Sequence, residues 1–260
     1  MAGSKRSSAL LAARVAASKL VDGALELVYP RHCAGCGMSL HDESDCTEFF
    51  CAACLKDLPF ISAERCLKCG HQLAQYTKTS PRCPSCEGKS LFFKSATAPF
   101  RYEGIARELI LQLKLCKQTF FALPMSRYLI EHLETHRLPV AVDAVVPVPL
   151  HWRRALKRGF NQSQLIAEQV AGHFRLPLQN RCLRRKRATP SQTAAGKQQR
   201  MENMRGVFAV RKNARIAGKR LLLIDDVLTT GATCAECSRM LIEGGAKAVY
   251  VATVARTMFS

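Results

Sequence analysis

Two adjacent carboxylates, Asp225 and Asp226, follow directly after an apolar run that ends at Ile224. Paired carboxylates accept hydrogen bonds from vicinal hydroxyl groups. A turn rich in hydroxyl groups comes next, and glycine in such a turn lets the backbone approach a ligand closely. Backbone N–H groups at a turn that opens a helix bind phosphate. A phosphorylated ribose offers both a diol and a phosphoryl group, and the candidate residues for it are Asp225, Asp226, Thr229, Thr230, Gly231, Ala232 and Thr233.

The elements that must position these residues form an alternating pattern from about residue 95 onward. Apolar runs predict strands at 96–102, 142–148, 207–210, 220–224 and 249–254, and helical periodicity predicts helices at 105–115, 121–136, 161–174 and 233–243. Such alternation predicts an α/β fold with a mainly parallel sheet covered on both faces. The two acids would then lie at the carboxyl edge of the sheet, where α/β proteins bind ligands.

Cations follow the predicted strand 142–148 and recur in a long polar segment, residues 184–206. The cations of the first group, Arg153, Arg154 and Arg158, are expected to contact an anionic ligand. Neutral Asn161 is expected to contact it too and can also cap the next helix. The segment 184–206 has no clean period and many polar groups, which predicts a long, mobile surface loop. Its cations Lys197 and Arg200 are the candidates for catalytic contact with a leaving group.

Eight of the 13 cysteines form four Cys-x-x-Cys pairs between residues 33 and 86. Two such pairs supply the four thiolates that a structural zinc ion prefers, and four thiolates leave no open position for catalysis. The spacing therefore predicts one or two structural zinc ions, with sequential and interleaved pairing both open. The ligands would be Cys33, Cys36, Cys51, Cys54, Cys66, Cys69, Cys83 and Cys86.

The formal net charge of +19 is concentrated in the second half of the chain. Residues 141–260 hold 21 Lys/Arg and 7 Asp/Glu, a net charge of +14, and residues 181–220 hold 13 basic residues and one acid. A field of this sign attracts phosphate, and 13 cations exceed what one pyrophosphate requires. We expect Arg184, Arg185, Lys186 and Arg187 to contact the backbone of single-stranded DNA.

The segment 220–233 resembles the signature of type I phosphoribosyltransferases. The resemblance implies that Asp225 and Asp226 hold ribose hydroxyls and that the 229–233 backbone holds the 5′-phosphate of phosphoribosyl pyrophosphate, bound with Mg²⁺. Some purine-specific members carry an aspartate where this chain has Thr229, which argues against purine salvage of that type.

Further motifs extend the resemblance over residues 29–256. With the cysteine pairs, the chain is similar to the ComF family. Those motifs are Arg101-Tyr-Glu-Gly104, Val146-Pro-Val-Pro-Leu150, Arg158-Gly-Phe-Asn-Gln162, Thr189-Pro-Ser-Gln192 and Asn203-Met-Arg-Gly206.

The ComF resemblance implies a role in DNA uptake, natural transformation or DNA utilisation. One hypothesis is a phosphoribosyltransferase whose acceptor the sequence does not name. The alternative is a catalytically silent protein, regulated by a nucleotide, that binds DNA or recruits a helicase-like partner through its zinc module.

Three regions are expected along the chain: an amphipathic helical lead-in at residues 1–30, a zinc-binding module at 31–92 and a phosphoribosyltransferase-like domain at 93–260. No apolar run reaches the length of a membrane span. The N-terminus resembles a signal peptide only loosely, because Arg14 interrupts its short apolar stretch and no clear cleavage site follows, so the predicted location is the cytoplasm.

Overall fold

A computed structural model describes residues 31–40, 47–61, 64–73, 83–84, 86, 88–136, 142–187 and 203–258. The predicted helical lead-in, Lys197 and Arg200 lie outside these residues. The chain divides into two compact units, residues 1–57 and 58–260. The division falls inside the cysteine-rich region, whereas the sequence placed a boundary near residue 92.

The described residues of the first unit include a short antiparallel turn and a helix. His32 and Ser39 form an antiparallel bridge, and the chain reverses between them at Gly37, whose φ is +76°. Helix α1, Ala52–Lys56, begins directly after Cys51. This arrangement brings the Cys33 and Cys36 turn to the start of α1, where Cys51 and Cys54 lie.

The second unit contains a parallel sheet in the strand order β1-β7-β6-β3, with β2 also pairing with β7. Its strands are β1 (Ala96–Thr97), β2 (Phe100–Arg101), β3 (Ala144–Pro147), β6 (Arg220–Leu228) and β7 (Ala248–Arg256). A separate antiparallel pair joins β4 (Leu183–Arg185) to β5 (Phe208–Val210). The two nine-residue strands β6 and β7 are almost entirely buried, as expected of parallel strands covered on both faces.

Helices in the described part of the second unit connect these strands. They are α2 (Gly104–Leu115), α3 (Ala122–Thr135, preceded by a 3₁₀ turn at Thr119–Phe121), α4 (Trp152–Arg158), α5 (Gln162–His173) and α6 (Ala232–Glu243). The predicted cap of α5 is present, because Asn161 Oδ1 accepts a hydrogen bond from the Ser163 N–H. Helix α6 ends at Gly244, and Gly245 follows with a φ of +94°.

The core fills both faces of the sheet. Alternate residues of the central strands, including Leu221, Leu223 and Val251, join one cluster with Cys237 and Leu241 of α6. The intervening residues point the other way, towards α5, which packs on β6 and β3, and α3, which packs on β7. The cysteines of the second four-cysteine group belong to the α6 side of this core.

Four details differ from the sequence-based assignment. The predicted strand 96–102 is two short strands, because Ala98-Pro99 interrupts it. Strand β6 continues through the two acids to Leu228, since β7 pairs with it along that whole length. Residues 152–158 form a helix, and the predicted loop 184–206 begins inside strand β4. Within the described residues, every helix is too short or too polar to span a bilayer.

Candidate functional site

The two acids lie on β6, just beyond the point where the neighbouring strand β3 ends. The last residue of β3, Pro147, pairs with Ile224, so Asp225 and Asp226 continue beside β7 with no β3 neighbour. The Val148 N–H donates to the Ile224 carbonyl oxygen at 2.9 Å and ends that pairing. This end of β3, where the neighbouring strand stops short, is the carboxyl edge at which the sequence placed the site.

Both acids are buried, with side-chain environments that hold them in fixed orientations. Ser163 Oγ, at the start of α5, donates to Asp225 Oδ1 at 2.8 Å, and the Asp226 N–H donates to the same oxygen at 3.0 Å. Burial, followed by the neighbouring negative charge of Asp226, raises the pKa of Asp225 to about 7. Asp225 therefore exchanges its proton near neutral pH, and it stays protonated more readily than an exposed aspartate.

Asp226 forms an ion pair with Lys114 of α2. Asp226 Oδ2 lies 2.5 Å from Lys114 Nζ, and a side-chain hydrogen bond accompanies the charge contact. Burial lowers the pKa of Lys114, but the negative charges of Asp226 and Asp225 outweigh it and the net shift is upward. While this pair is closed, Asp226 Oδ2 is not available to a ribose hydroxyl.

The predicted phosphate turn joins β6 to α6. Thr229 is exposed and Thr233 is half-buried, whereas Thr230, Gly231 and Ala232 are buried. Gly231 is the N-cap of α6 and has a φ of +82°, a conformation that favours glycine. Thr230 Oγ1 accepts a weak hydrogen bond from the Ala232 N–H at 3.4 Å. The turn therefore leads into the N-terminus of a 12-residue helix, whose dipole favours an anion there.

The segment after β3 is held against α5 by one side chain. Asn161 caps α5 through Oδ1 and donates from Nδ2 to the Val148 carbonyl oxygen at 3.0 Å. His151 caps α4 by accepting a hydrogen bond from the Arg153 N–H. Asn161, expected among the ligand contacts, thus has both amide atoms engaged in positioning this segment.

Several cations converge near the acids. Burial lowers the pKa of Arg158, and the nearby carboxylate of Asp226 opposes that shift. Arg158 also donates to Gln162 Oε1 at 2.5 Å. Arg153, by contrast, is exposed and its guanidinium lies 5.2 Å from the centre of the Trp152 ring. Arg154 is exposed on α4, and its charge contributes to lowering the pKa of Arg158.

The basic run 184–187 does not act as one exposed face. Arg184, Lys186 and Arg187 are exposed. Arg185 is half-buried, with its guanidinium 5.5 Å from the centre of the Phe208 ring. Burial and then the charge of Arg154 lower the pKa of Arg185, opposed by Cys237 and Asp225. Arg185 therefore lies within electrostatic range of Asp225, and its contact with DNA stays a prediction.

The eight cysteines form two groups in sequential order, which resolves the pairing: Cys33, Cys36, Cys51 and Cys54 form one, and Cys66, Cys69, Cys83 and Cys86 form the other. The sulfur atoms of each group lie within 4.8 Å of one another. Tetrahedral zinc with Zn–S bonds of about 2.3 Å requires S···S distances of about 3.8 Å. The Cys36–Cys51 distance is 3.8 Å and the Cys66–Cys86 distance is 3.7 Å. Both groups fit structural zinc, whose bonds would fix each pair of turns.

The second cysteine group is part of the sheet unit. Arg256, the last residue of β7, is buried and donates from Nη2 to Cys69 Sγ at 3.3 Å. Leu91, which follows the last cysteine, is the nearest side chain to a Cβ built at Gly231, at 3.7 Å. The segment just after this group therefore lies beside the 229–233 turn. Cys234 and Cys237 of α6, a fifth Cys-x-x-Cys spacing, are buried in the core, and burial raises the pKa of both thiols.

Comparison with known proteins supports both the cysteine groups and the sheet that carries the two acids. A double zinc ribbon domain matches residues 24–87, and a phosphoribosyl transferase domain matches residues 161–258. The DNA utilization protein YhgH of Salmonella typhimurium is 30% identical over 196 residues, which cover 74% of this chain and 84% of that protein. The chain belongs to the ComF/YhgH family. The fold is accordingly of the type I phosphoribosyltransferase kind, preceded by a double zinc ribbon.

Two further members of the ComF/YhgH family align over different lengths. Competence protein F of Haemophilus influenzae is 28% identical over 230 residues, 86% of this chain and 96% of that protein. The YhgH protein of Escherichia coli is 35% identical over 156 residues, which span 58% of this chain and 66% of that protein, just under two thirds.

Some residues of this ComF/YhgH site were missed or lie outside the described residues. Ser163 was not singled out, and its only signal was its place two residues after the helix cap Asn161. Lys114 was noticed at the end of a predicted helix, but no pattern linked it to Asp226. The catalytic candidates Lys197 and Arg200 are outside the described part of the chain and stay predictions.

Proposed function

We propose that this protein binds phosphoribosyl pyrophosphate with Mg²⁺ at the carboxyl edge of its sheet. The observation that carries the proposal is the buried pair Asp225 and Asp226 on β6, just beyond the end of the neighbouring strand β3. A glycine turn at a helix N-terminus follows the pair. The acids would accept the ribose hydroxyls, and the 229–233 turn would bind the 5′-phosphate. Arg158 and Arg185 would neutralise the pyrophosphate.

Binding requires the Lys114–Asp226 ion pair to open. A bound ribose hydroxyl would replace Lys114 as the partner of Asp226, and Lys114 would then be free to pair with pyrophosphate. Lys114 would pair with Asp226 in the free protein and with pyrophosphate in the complex, while Asp226 would then accept the ribose hydroxyl. Neither Lys114 nor Asp226 would be left without a partner, as buried charges require.

For the biological role, we propose participation in DNA uptake or utilisation in the cytoplasm. Support comes from relatives named DNA utilization protein and competence protein. The exposed cations Arg184, Lys186 and Arg187 would contact the phosphates of single-stranded DNA. Trp152, 56% exposed beside Arg153, would stack on a base.

Titration calorimetry with phosphoribosyl pyrophosphate and Mg²⁺ tests the ligand site. Wild type should bind at one site, and the double variant Asp225→Asn with Asp226→Asn should lose at least about 100-fold in affinity, since two charge-assisted acceptors are weakened. Asp57→Asn, an exposed acid of the first unit, should bind as wild type does. Equal binding by the double variant would refute the site, provided that zinc content is unchanged in all three proteins.

Catalysis is tested separately by pyrophosphate release with a panel of nitrogen bases. Release that depends on one base would identify the acceptor and establish a phosphoribosyltransferase, in which preorganised cations stabilise the leaving group. Binding without release across the panel would instead favour a regulatory ligand on a DNA-handling protein.

A further inference from the structure

A cavity in the sheet unit is lined by residues other than those assigned to phosphoribosyl pyrophosphate. It has a volume of about 270 Å³, close to the lower end of the range typical of small-molecule sites. The turn that carries Cys66 forms one wall, strands β1 and β7 form the floor, and the end of α3 forms the other wall. Its lining includes Arg65, Thr97, His132, His136 and Tyr250.

Arg65 supplies a guanidinium group to the lining of this cavity, and Cys66, also in the lining, belongs to the second four-cysteine group. Arg65 Nη1 is buried and has no hydrogen-bond partner among the described residues. The described lining contains no carboxylate. His132 supplies no charge, because burial and then the charges of His136 and Arg65 lower its pKa to about 3. The cavity thus presents a buried guanidinium nitrogen that has no hydrogen-bond partner among the described residues.

The other side chains of the lining can contact an apolar or aromatic part of a ligand. Leu67, Leu133 and Val251 contribute aliphatic surface. The rings of His132 and His136 lie 4.2 Å apart at an interplanar angle of 32°. His132 Nε2 is 2.5 Å from Thr97 Oγ1, which fixes the inner ring. A flat ring can therefore pack against the histidine pair and the aliphatic wall, with its charged group directed to Arg65.

We propose that this cavity binds a small organic anion, with an aromatic or apolar body and a carboxylate or phosphate head paired with Arg65. The guanidinium fork matches the oxygens of either head group. Binding here would be separate from phosphoribosyl pyrophosphate binding at the Asp225–Asp226 site.

Titration calorimetry on the full, zinc-loaded chain tests the proposal with benzoate and phenyl phosphate. At least one should saturate a single site, and the ratio of their affinities identifies the preferred head group. Benzamide, which keeps the ring and lacks the charge, should bind at least about 10-fold more weakly than benzoate. Inorganic phosphate, which lacks the body, should also bind this site more weakly than phenyl phosphate.

Variants locate the binding. Arg65→Gln should weaken the preferred probe by about 10-fold or more, whereas Arg107→Gln, at an exposed position of α2, should leave it unchanged. Ser95→Leu reduces the cavity without removing a charge and should also weaken binding. If Arg65→Gln loses zinc, Ser95→Leu and the benzamide comparison decide the matter. The proposal is overturned if neither probe saturates, if benzamide binds as tightly as both acids, or if Ser95→Leu binds as wild type does.

Discussion

Asp225 illustrates a conflict between ligand binding and stability at a single residue. Its carboxylate is buried next to a second carboxylate, and the pKa rises to about 7 because burial and Asp226 both disfavour the charged form. The unfolded chain ionises near the ordinary value of 3.8. Between these values the folded state binds more protons than the unfolded state, so this residue makes the protein less stable as pH rises from 4 to 7.

Asp225→Asn should therefore raise stability while removing ligand affinity. We expect a gain on the order of 2 kcal/mol at pH 8, which should shrink as pH falls from 7 to 4, because the native aspartate then takes up its proton. Urea unfolding at several pH values measures the gain. Asp143→Asn is the matched control, for which we expect the opposite change in stability. Hydrogen bonds from Arg220 lower the pKa of Asp143, so this variant should be less stable than wild type at pH 8. A loss of stability in Asp225→Asn at pH 8 would contradict this account.

At the scale of single elements, the turn between β6 and α6 is fixed by backbone conformation. Gly231 has a φ of +82°, and a Cβ there would meet only Leu91 at 3.7 Å, an ordinary contact. Space therefore does not exclude a side chain, but the left-handed conformation disfavours one.

Gly231→Ala should reduce stability by about 1 kcal/mol and weaken phosphoribosyl pyrophosphate binding, because the turn shifts to relieve the strain. Gly172→Ala is the control: this glycine is inside α5 with nothing near its Cβ position, so alanine there should stabilise by a few tenths to about 1 kcal/mol. Thermal unfolding and calorimetry measure both. The prediction fails if the two substitutions change stability in the same direction.

The elements themselves were largely predictable where periodicity was strong. Helices α2, α3, α5 and α6 begin and end within two residues of the sequence assignment, since each has a buried apolar face. Strand β6 was shortened in the prediction because two acids normally end a strand, but pairing with β7 overrides that preference. Helix α4 was missed because none of its residues is buried, so it has no apolar face to detect.

The candidate site was predictable only in its contiguous part. The acids and the glycine turn are adjacent in sequence, and their spacing alone indicates a diol and phosphate site. Ser163, Lys114 and Arg185 reach Asp225 and Asp226 from elements far away in the chain, and only the fold brings them together.

At the scale of the whole molecule, the two zinc ribbons have different structural roles. The ligands of the second ribbon are core residues of the sheet unit and one accepts a hydrogen bond from Arg256. The first ribbon belongs to a separate compact unit.

Cys69→Ser should therefore lower the melting temperature of the sheet unit by roughly 10 °C and weaken phosphoribosyl pyrophosphate binding, because loss of a structural metal removes folding free energy. Cys54→Ser should release one zinc ion and leave ligand binding unchanged. Zinc content, thermal unfolding and calorimetry distinguish the two variants. Equal loss of ligand binding in both would show that the ribbons are not independent in this respect.

The charge distribution gives a prediction for DNA. Replacing Arg184, Lys186 and Arg187 with alanine should reduce the slope of log affinity against log salt concentration by about 2 for single-stranded DNA, since each lost phosphate contact accounts for about 0.7. A control variant removes the same charge from other exposed positions and should change the slope much less. It combines Arg107→Ala, Arg127→Ala and Lys247→Ala. An unchanged slope in the first variant would exclude these three residues as DNA contacts.

The division of the chain between residues 57 and 58 also constrains how its parts can be separated. A fragment that starts after the last cysteine, near residue 93, would expose the apolar surface that Leu91 and the second ribbon cover, and we expect it to aggregate. A fragment that starts at residue 58 keeps that surface covered. The second ribbon therefore cannot be exchanged as an independent domain. Recombination that replaced it with another metal-binding domain would also require new core residues in the neighbouring sheet.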